Sequence, residues 1–534
     1  MYFDYFSNSK VNLFINFHSN QNSLFPVTHW YTNGENNGSF PDTFLFGVAI
    51  SSYQSEGAWN VDGKSESIWD AFTHKHPSPI KDGLNGDVAC DSYHRYKEDI
   101  ALAAGLGLDF YRFSISWSRV LPTGYDNKVN EIGLQYYKNL VAEIRKYNMI
   151  PVATIYHWDL PNNLVSIGWD NLKMVDLFVN YSRVVIKNLP DVGVWLTINE
   201  PKQICHSGYG DTLLAPAKNS SGLAEYMCAY VVLKAHAETY HMYKEEFKNY
   251  TAKMSIVIDC EWYEPLTSSA ADKEAAQRFI NFECGIYAHP IYIGDWPIDV
   301  KFRIDERSLM ENYNKSRLPE LTLEEINYIQ GTADFFALNT YFTYMVNDVP
   351  EGDPNITSFQ NDVRIEKTYV KGVQLGANGF PVVPWGVYKI LKYIKNAYND
   401  PVILITEMGF SEYGLTLEDD LRILFFMDYF NATLEAMFQD GVQVIGIAAW
   451  SLLDNFEWVD GYSAHFGFYY IDFTDPNLTR IPKKSVKFFK KLVEKKSLPI
   501  LENYQNGGTD NKIFNSIVNN LLGIFIIFYI LFIQ

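Results

Sequence analysis

Eight short apolar runs, most of them separated by longer stretches of helical periodicity, constrain this chain more than any other feature. They are FLFGVAI (44–50), FYRFSIS (110–116), IPVATIYH (150–157), VGVWLTIN (192–199), KMSIVID (253–259), DFFALNTY (334–341), PVILITE (401–407) and VIGIAAWSL (444–452). Runs rich in β-branched and aromatic residues, with little apolar–polar alternation, read as strands buried on both faces. Helical patterns lie between most of them, as at 93–107, 134–148 and 417–439. Such an alternation predicts an α/β fold whose parallel sheet is covered by helices, and eight is the number of strands that closes it. The expectation is one (β/α)8 TIM barrel with long βα loops over residues 40–499. Residues 1–39 form an N-terminal extension, 500–520 a polar spacer and 521–534 a hydrophobic tail.

Polar residues interrupt these strands near their C-terminal ends, where a barrel of this kind carries its chemistry. Arg112 sits in the second run, His157 ends the third, and Asn199 and Glu200 end the fourth. Asn339 and Tyr341 end the sixth, Glu407 the seventh, and Trp450 lies in the eighth. LTINEP (196–201) and LITEMGF (404–410) each drive a glutamate to the tip of an apolar run, where an ionised carboxylate is costly unless its charge is answered. Strands four and seven lie nearly across a closed barrel, so Glu200 and Glu407 are expected to face one another over a pocket. Two carboxylates flanking a pocket suit cleavage of a glycosidic bond. Arg112 and the Tyr341 hydroxyl are expected to hold Glu407 ionised as a nucleophile. Glu200, opposite that charge, is expected to start protonated as the acid.

The chain resembles the family 1 glycoside hydrolases, the β-glucosidase family, and most of all its animal members. The resemblance runs from FPDTFLFGVAISSYQSEGAW (40–59) to PKKSVKFFKKLVEKKSLP (482–499). TINEP (197–201) is similar to the family's acid/base motif and ITEMG (405–409) to its nucleophile motif. YRFSISWSR (111–119), YHWDLP (156–161), LNTY (338–341) and WSLLDNFEW (450–458) extend the match. It implies Glu200 as acid/base and Glu407 as nucleophile. Gln54, His157, Asn199, Trp450, Glu457 and Trp458 are implied as binders of the glycone hydroxyls, beside Asn339 and Tyr341. No cofactor or metal is implied. A carboxylate at Glu457 would repel a sugar phosphate, which argues against the phosphoglycosidase branch.

Three positions depart from the family pattern. Met408 stands where an asparagine is usual, which removes a polar group beside the nucleophile. His465, in HFG (465–467), stands where a basic residue is usual. Lys202 follows Asn-Glu-Pro; it either serves anionic aglycones or, the preferred expectation, points into solvent. The enzymatic rival is a thioglucosidase acting on glucosinolates. Plant enzymes of that type replace the acid/base glutamate with glutamine, whereas Glu200 is intact here; some animal thioglucosidases keep the glutamate, so this alternative stays open. A catalytically dead, membrane-anchored glycan binder is the more distant rival, since both carboxylates remain.

A net charge of −19 argues against nucleic acid as a partner. Five cysteines, without CxxC or CxxH spacing, allow at most two disulfides and define neither pairing nor a zinc site. Eight Asn-x-Ser/Thr sequons (Asn37, Asn180, Asn219, Asn249, Asn314, Asn355, Asn431, Asn477) point to a secretory route. The tail LLGIFIIFYILFI (521–533), with its polar spacer and Asn506-Gly507-Gly508, fits a signal for exchange onto a glycolipid anchor. That predicts an extracellular or luminal enzyme tethered to the cell surface, although VNLFINF (11–17) lacks the flanks of a signal peptide.

Overall fold

A computed structural model describes residue 36 and residues 38–499 apart from 415. The N-terminal extension up to 35, the spacer, the tail and the Asn37 sequon lie outside the described residues.

All eight runs form strands: β1 (Leu45–Ala49), β2 (Phe110–Ser114), β3 (Ile150–Tyr156), β4 (Val194–Asn199), β5 (Lys253–Asp259), β6 (Phe336–Asn339), β7 (Ile403–Met408) and β8 (Val444–Trp450). Every neighbouring pair is parallel, and β8 pairs with β1 to close the barrel. Helices cover the outside, among them Ser92–Gly105, Glu131–Lys146, Lys173–Asn188, Ala224–Glu246, Pro384–Ala397 and Asp420–Asp440. The chain continues past β5 through a small three-stranded sheet (Trp262–Pro265, Thr343–Asp348, Ile365–Thr368) that belongs to the rim.

Two apolar clusters divide the interior. Phe110, Val152, Val194, Leu196, Ala337, Leu404 and Ala448 fill the barrel itself, while a larger cluster seals barrel against helices. Above the inner plug the same rows turn polar: Arg112 follows Phe110 by two residues and Thr154 follows Val152. The period of two that keeps alternate residues inside carries these polar groups into the barrel mouth.

At two strands the alternation breaks. In β4 the register with β5 shifts between Leu196 and Asn199. Thr197 meets His236 of the outer helix Ala224–Glu246, with Oγ1 and Nδ1 2.8 Å apart, and Ile198 joins the outer cluster, yet Asn199 faces inward. In β7 the register with β6 shifts between Ile405 and Glu407. Consecutive Thr406 and Glu407 then both reach inward groups. An irregularity of this kind re-aims a side chain where plain alternation would bury it among helices. Gly409 then passes so close to the eighth strand that a Cβ there would stand 2.0 Å from the Trp450 carbonyl oxygen.

Cysteine pairing is resolved as Cys205–Cys228 and Cys260–Cys284, with Cys90 buried and free. Each bridge ties the segment after a site-bearing strand, β4 or β5, to a helical segment about two dozen residues further along the chain.

Candidate active site

The C-terminal mouth of the barrel opens into a cavity of about 340 Å³. Glu200, Glu407, Gln54, His157, Tyr341, Trp450, Glu457 and Trp458 all line it. Arg112, Asn199 and Asn339, fully or almost fully buried, stand behind that lining and hold it in place.

Glu407 is gripped from two sides. The Arg112 guanidinium donates to one carboxylate oxygen, and the Tyr341 hydroxyl donates to the other at 2.7 Å. Arg112 is itself fixed, through Nη1 to the Thr406 carbonyl (3.1 Å), Nε to Thr154 Oγ1 (3.2 Å) and Nη2 to Asn199 Oδ1 (2.6 Å). Glu261 accepts from the Tyr341 and Phe342 amides (2.9 and 3.0 Å) and from Thr340 Oγ1 (3.0 Å), which fixes the backbone that aims the tyrosine. Met408 is buried in the outer cluster. The contacts to Glu407 are therefore complete without a polar residue at that position.

Glu200 meets the opposite environment. No arginine reaches it; Asn339 Nδ2 donates to its Oε1 at 2.6 Å, and its amide donates to the Val257 carbonyl at 3.0 Å. Burial, then the charges of Asp259 and Glu407, push its carboxyl well above the usual range. Its φ of +46° is left-handed, as are those of Trp158 (+74°) and Trp458 (+50°) in the same lining. Strained non-glycine backbone of this kind gathers at functional sites.

Asn199 links the two carboxylates. Its Oδ1 receives Arg112 and, at 3.3 Å, Asn339, so its Nδ2 must be the atom 3.2 Å from His157 Nε2. That nitrogen of His157 then accepts, and the ring proton sits on Nδ1. Burial, aided by Arg112, lowers the His157 pKa far below its ordinary value, so the ring is neutral. At the far wall Gln54 Nε2 donates to Glu457 Oε2 at 3.3 Å, and Ser51 Oγ donates to Gln54 Oε1 at 2.6 Å. Burial raises Glu457 well above the usual carboxylate range. Trp158 and Trp458 pack with centroids 4.5 Å apart, and Trp458 stacks 5.9 Å from His157. The result is an apolar platform bordered by hydrogen-bonding side chains, a pattern that suits a pyranose.

Two sequence expectations need correction or completion. Lys202 does not point into solvent: it is 7% exposed and ion-paired to Asp259 (2.8 Å) and Glu283 (3.0 Å). Both acids come from segments far along the chain, and two nearby carboxylates compensate the cost of burying an ammonium. His465, the other departure, is tied into its loop: it lies 3.2 Å from Asp454, its amide and carbonyl bridge to Glu412, and its carbonyl accepts from Arg422. Residues not singled out from sequence also line the cavity, among them Trp158, Asp259, Glu261, Phe342, Phe380 and Asp460. Asp259 was findable, because it too is a carboxylate ending an apolar strand. Among the described residues no cluster of three or more His, Cys, Asp or Glu is arranged to hold a metal.

The chain compares closely with known proteins. A sequence model of Glycosyl hydrolase family 1 matches residues 36–498. Myrosinase 1 of Brevicoryne brassicae is 44% identical over 461 residues, which covers 85% of this chain and 98% of that protein. Lactase/phlorizin hydrolase of Homo sapiens is 39% identical over 470 residues, 87% of this chain but 24% of that much longer protein. Among solved structures, a mutant rice β-glucosidase in a covalent complex with Glc aligns with a TM-score of 0.81 at 35% identity. That alignment covers 85% of this chain and 98% of that one.

Proposed function

The chain belongs to glycosyl hydrolase family 1, and on that premise we propose that it is a retaining β-glycosidase acting on terminal, non-reducing β-D-glucosides by double displacement. The observation that carries this reading is the contrast between two carboxylates at one cavity. Glu407 is bonded to a guanidinium and a phenol, whereas Glu200 is raised by burial and by neighbouring acids. In the first step a Glu407 oxygen attacks the anomeric carbon while the Glu200 proton passes to the departing glycosidic oxygen. A glucosyl ester forms, the C–O bond to the aglycone breaks, and the charge on Glu407 is consumed. Losing that neighbouring charge lowers the proton affinity of Glu200, whose carboxylate then removes a proton from water. The water attacks the ester, releases β-glucose and restores both groups. The covalent complex recorded for the rice β-glucosidase supports such an ester.

The similarity to an aphid myrosinase raises glucosinolates as a second substrate class. The electrostatics of this cavity favour uncharged aglycones. Its lining holds Asp259, Glu407 and Asp460 beside the raised carboxyls of Glu200, Glu261 and Glu457, and among the described residues its one Lys or Arg side chain, Lys202, is already paired with two acids. An anionic aglycone therefore meets no free cation among the described lining residues. We expect kcat/KM for a neutral aryl β-glucoside to exceed that for a glucosinolate by at least about tenfold, since like charges brought together oppose binding. Faster turnover of the glucosinolate in a side-by-side assay reverses the assignment.

The setting we propose is the outer cell surface. Two disulfides support an oxidising compartment. Asn219, Asn249, Asn314, Asn355 and Asn477 are sequons with exposed asparagines. Among the described residues no helix is long and apolar enough to cross a membrane. The apolar stretch 521–533 fits exchange onto a glycolipid at Asn506. A phospholipase specific for inositol lipids is expected to release the activity from membranes, and a chain ending at Glu502 to be secreted and active. Activity that resists the lipase and needs detergent instead assigns the tail to a transmembrane span.

A further inference from the structure

Behind the acid/base lies a charged group that the double-displacement scheme does not use. Lys202 Nζ stands 2.8 Å from Asp259 Oδ2 and 3.0 Å from Glu283 Oε2, and Gln203 Nε2 donates to the same Asp259 oxygen at 3.0 Å. Asp259 Oδ1 is buried and has no hydrogen-bond partner among the described residues. The bonds to this carboxylate thus fall on one oxygen and leave the other unanswered at the cavity, which Asp259 and Glu200 both line.

The barrel makes this proximity obligatory. The Glu200 amide is tied to the Val257 carbonyl, and Asp259 follows Val257 by the two residues that return a strand to the same face. Asp259 is also in register with Asn339, whose side chain holds Glu200. With one ammonium and two carboxylates, the Lys202–Asp259–Glu283 group carries a net negative charge of one. Burial alone would lower the Lys202 pKa, but Asp259 and then Glu283 outweigh it and hold the ammonium charged.

We propose that Asp259 is a positioning residue that keeps Glu200 protonated, with Lys202 and Gln203 favouring the ionised form of Asp259 against its burial. The proposal rests on Glu200 being the acid/base. The other groups around Glu200 do not replace this function. Arg112, from β2, is spent on Glu407 and Asn199. His157, from β3, is neutral and turned to Asn199. Tyr341 and Glu261, which follow β6 and β5, bond to Glu407 and to backbone amides, and Glu457 lies at the glycone wall. Glu407 raises Glu200 as well, but its charge vanishes once it is esterified. The Asp259 charge persists through both steps. It therefore keeps the proton on Glu200 until the first step and makes the Glu200 carboxylate the stronger base in the second.

The test is the pH dependence of kcat/KM. A raised acid is protonated and active below its pKa, so activity falls as pH rises through that value. Removing a nearby negative charge lowers the pKa and moves this basic limb to lower pH. Asp259→Asn is expected to shift the limb down by about one unit and leave the acidic limb in place. Asp259→Glu, which keeps the charge, is expected to leave the limb at its wild-type position even where kcat falls. Limbs that coincide with wild type in Asp259→Asn, with amplitude alone reduced, overturn the proposal. Should Asp259→Asn fail to fold by circular dichroism, Asp259→Ser serves, with the same downward shift expected and an unmoved limb contradicting it. A basic limb that persists in Glu200→Gln on an activated aryl glucoside belongs to another group. That outcome refutes the assignment of Glu200 itself.

Discussion

Glu407→Gln is expected to lower kcat on an aryl β-glucoside by about five orders of magnitude, the scale on which removing a covalent nucleophile acts. The amide is nearly the same size, and its oxygen can still receive Arg112. It cannot attack the anomeric carbon to form a stable ester, so the loss is chemical and falls on kcat. KM is expected to change little, because Gln54, His157, Glu457 and Trp458, which line the same cavity, are untouched. Circular dichroism checks that the barrel persists. Residual activity within about a hundredfold of wild type would mean that another group attacks.

Glu200→Gln is expected to behave differently on different substrates. Alkyl glucosides, whose leaving groups need a proton, are expected to lose about a thousandfold in kcat/KM, while dinitrophenyl glucosides keep most of theirs. With an activated substrate the first step then outruns the second, and the glucosyl ester on Glu407 accumulates. Azide needs no base to attack that ester, so its addition is expected to restore turnover by at least about tenfold and to yield β-glucosyl azide. An equal loss on all substrates with no rescue would place Glu200 outside proton transfer. The two experiments separate the carboxylates by role, which a shared loss of activity cannot do.

The barrel was legible because its strands are buried on both faces. Each carries a mainly apolar run with little alternation, and eight such runs admit few topologies. The two carboxylates that meet at one cavity were legible because a carboxylate closing an apolar strand is costly, and the chain incurs that cost at Glu200 and Glu407. The same rule, applied to KMSIVID, would also have pointed to Asp259. Lys202 was misread because its environment depends on Asp259 and Glu283, which sequence distance hides. The irregular registers of β4 and β7 have no marker in the sequence. They appear where Ile198 faces the helices while Asn199 faces the barrel, and where Thr406 and Glu407 both face inward. The disulfides were likewise hidden, since five cysteines without diagnostic spacing do not define which pairs meet.

At the centre of this account is attack by Glu407 on the anomeric carbon followed by attack of water on the same face, two inversions that restore the original configuration. Proton NMR of the sugar released in the first minutes of turnover, before mutarotation mixes the anomers, tests it most directly. The account predicts β-glucose from a β-glucoside; α-glucose as the first product would mean a single displacement by water and would contradict it.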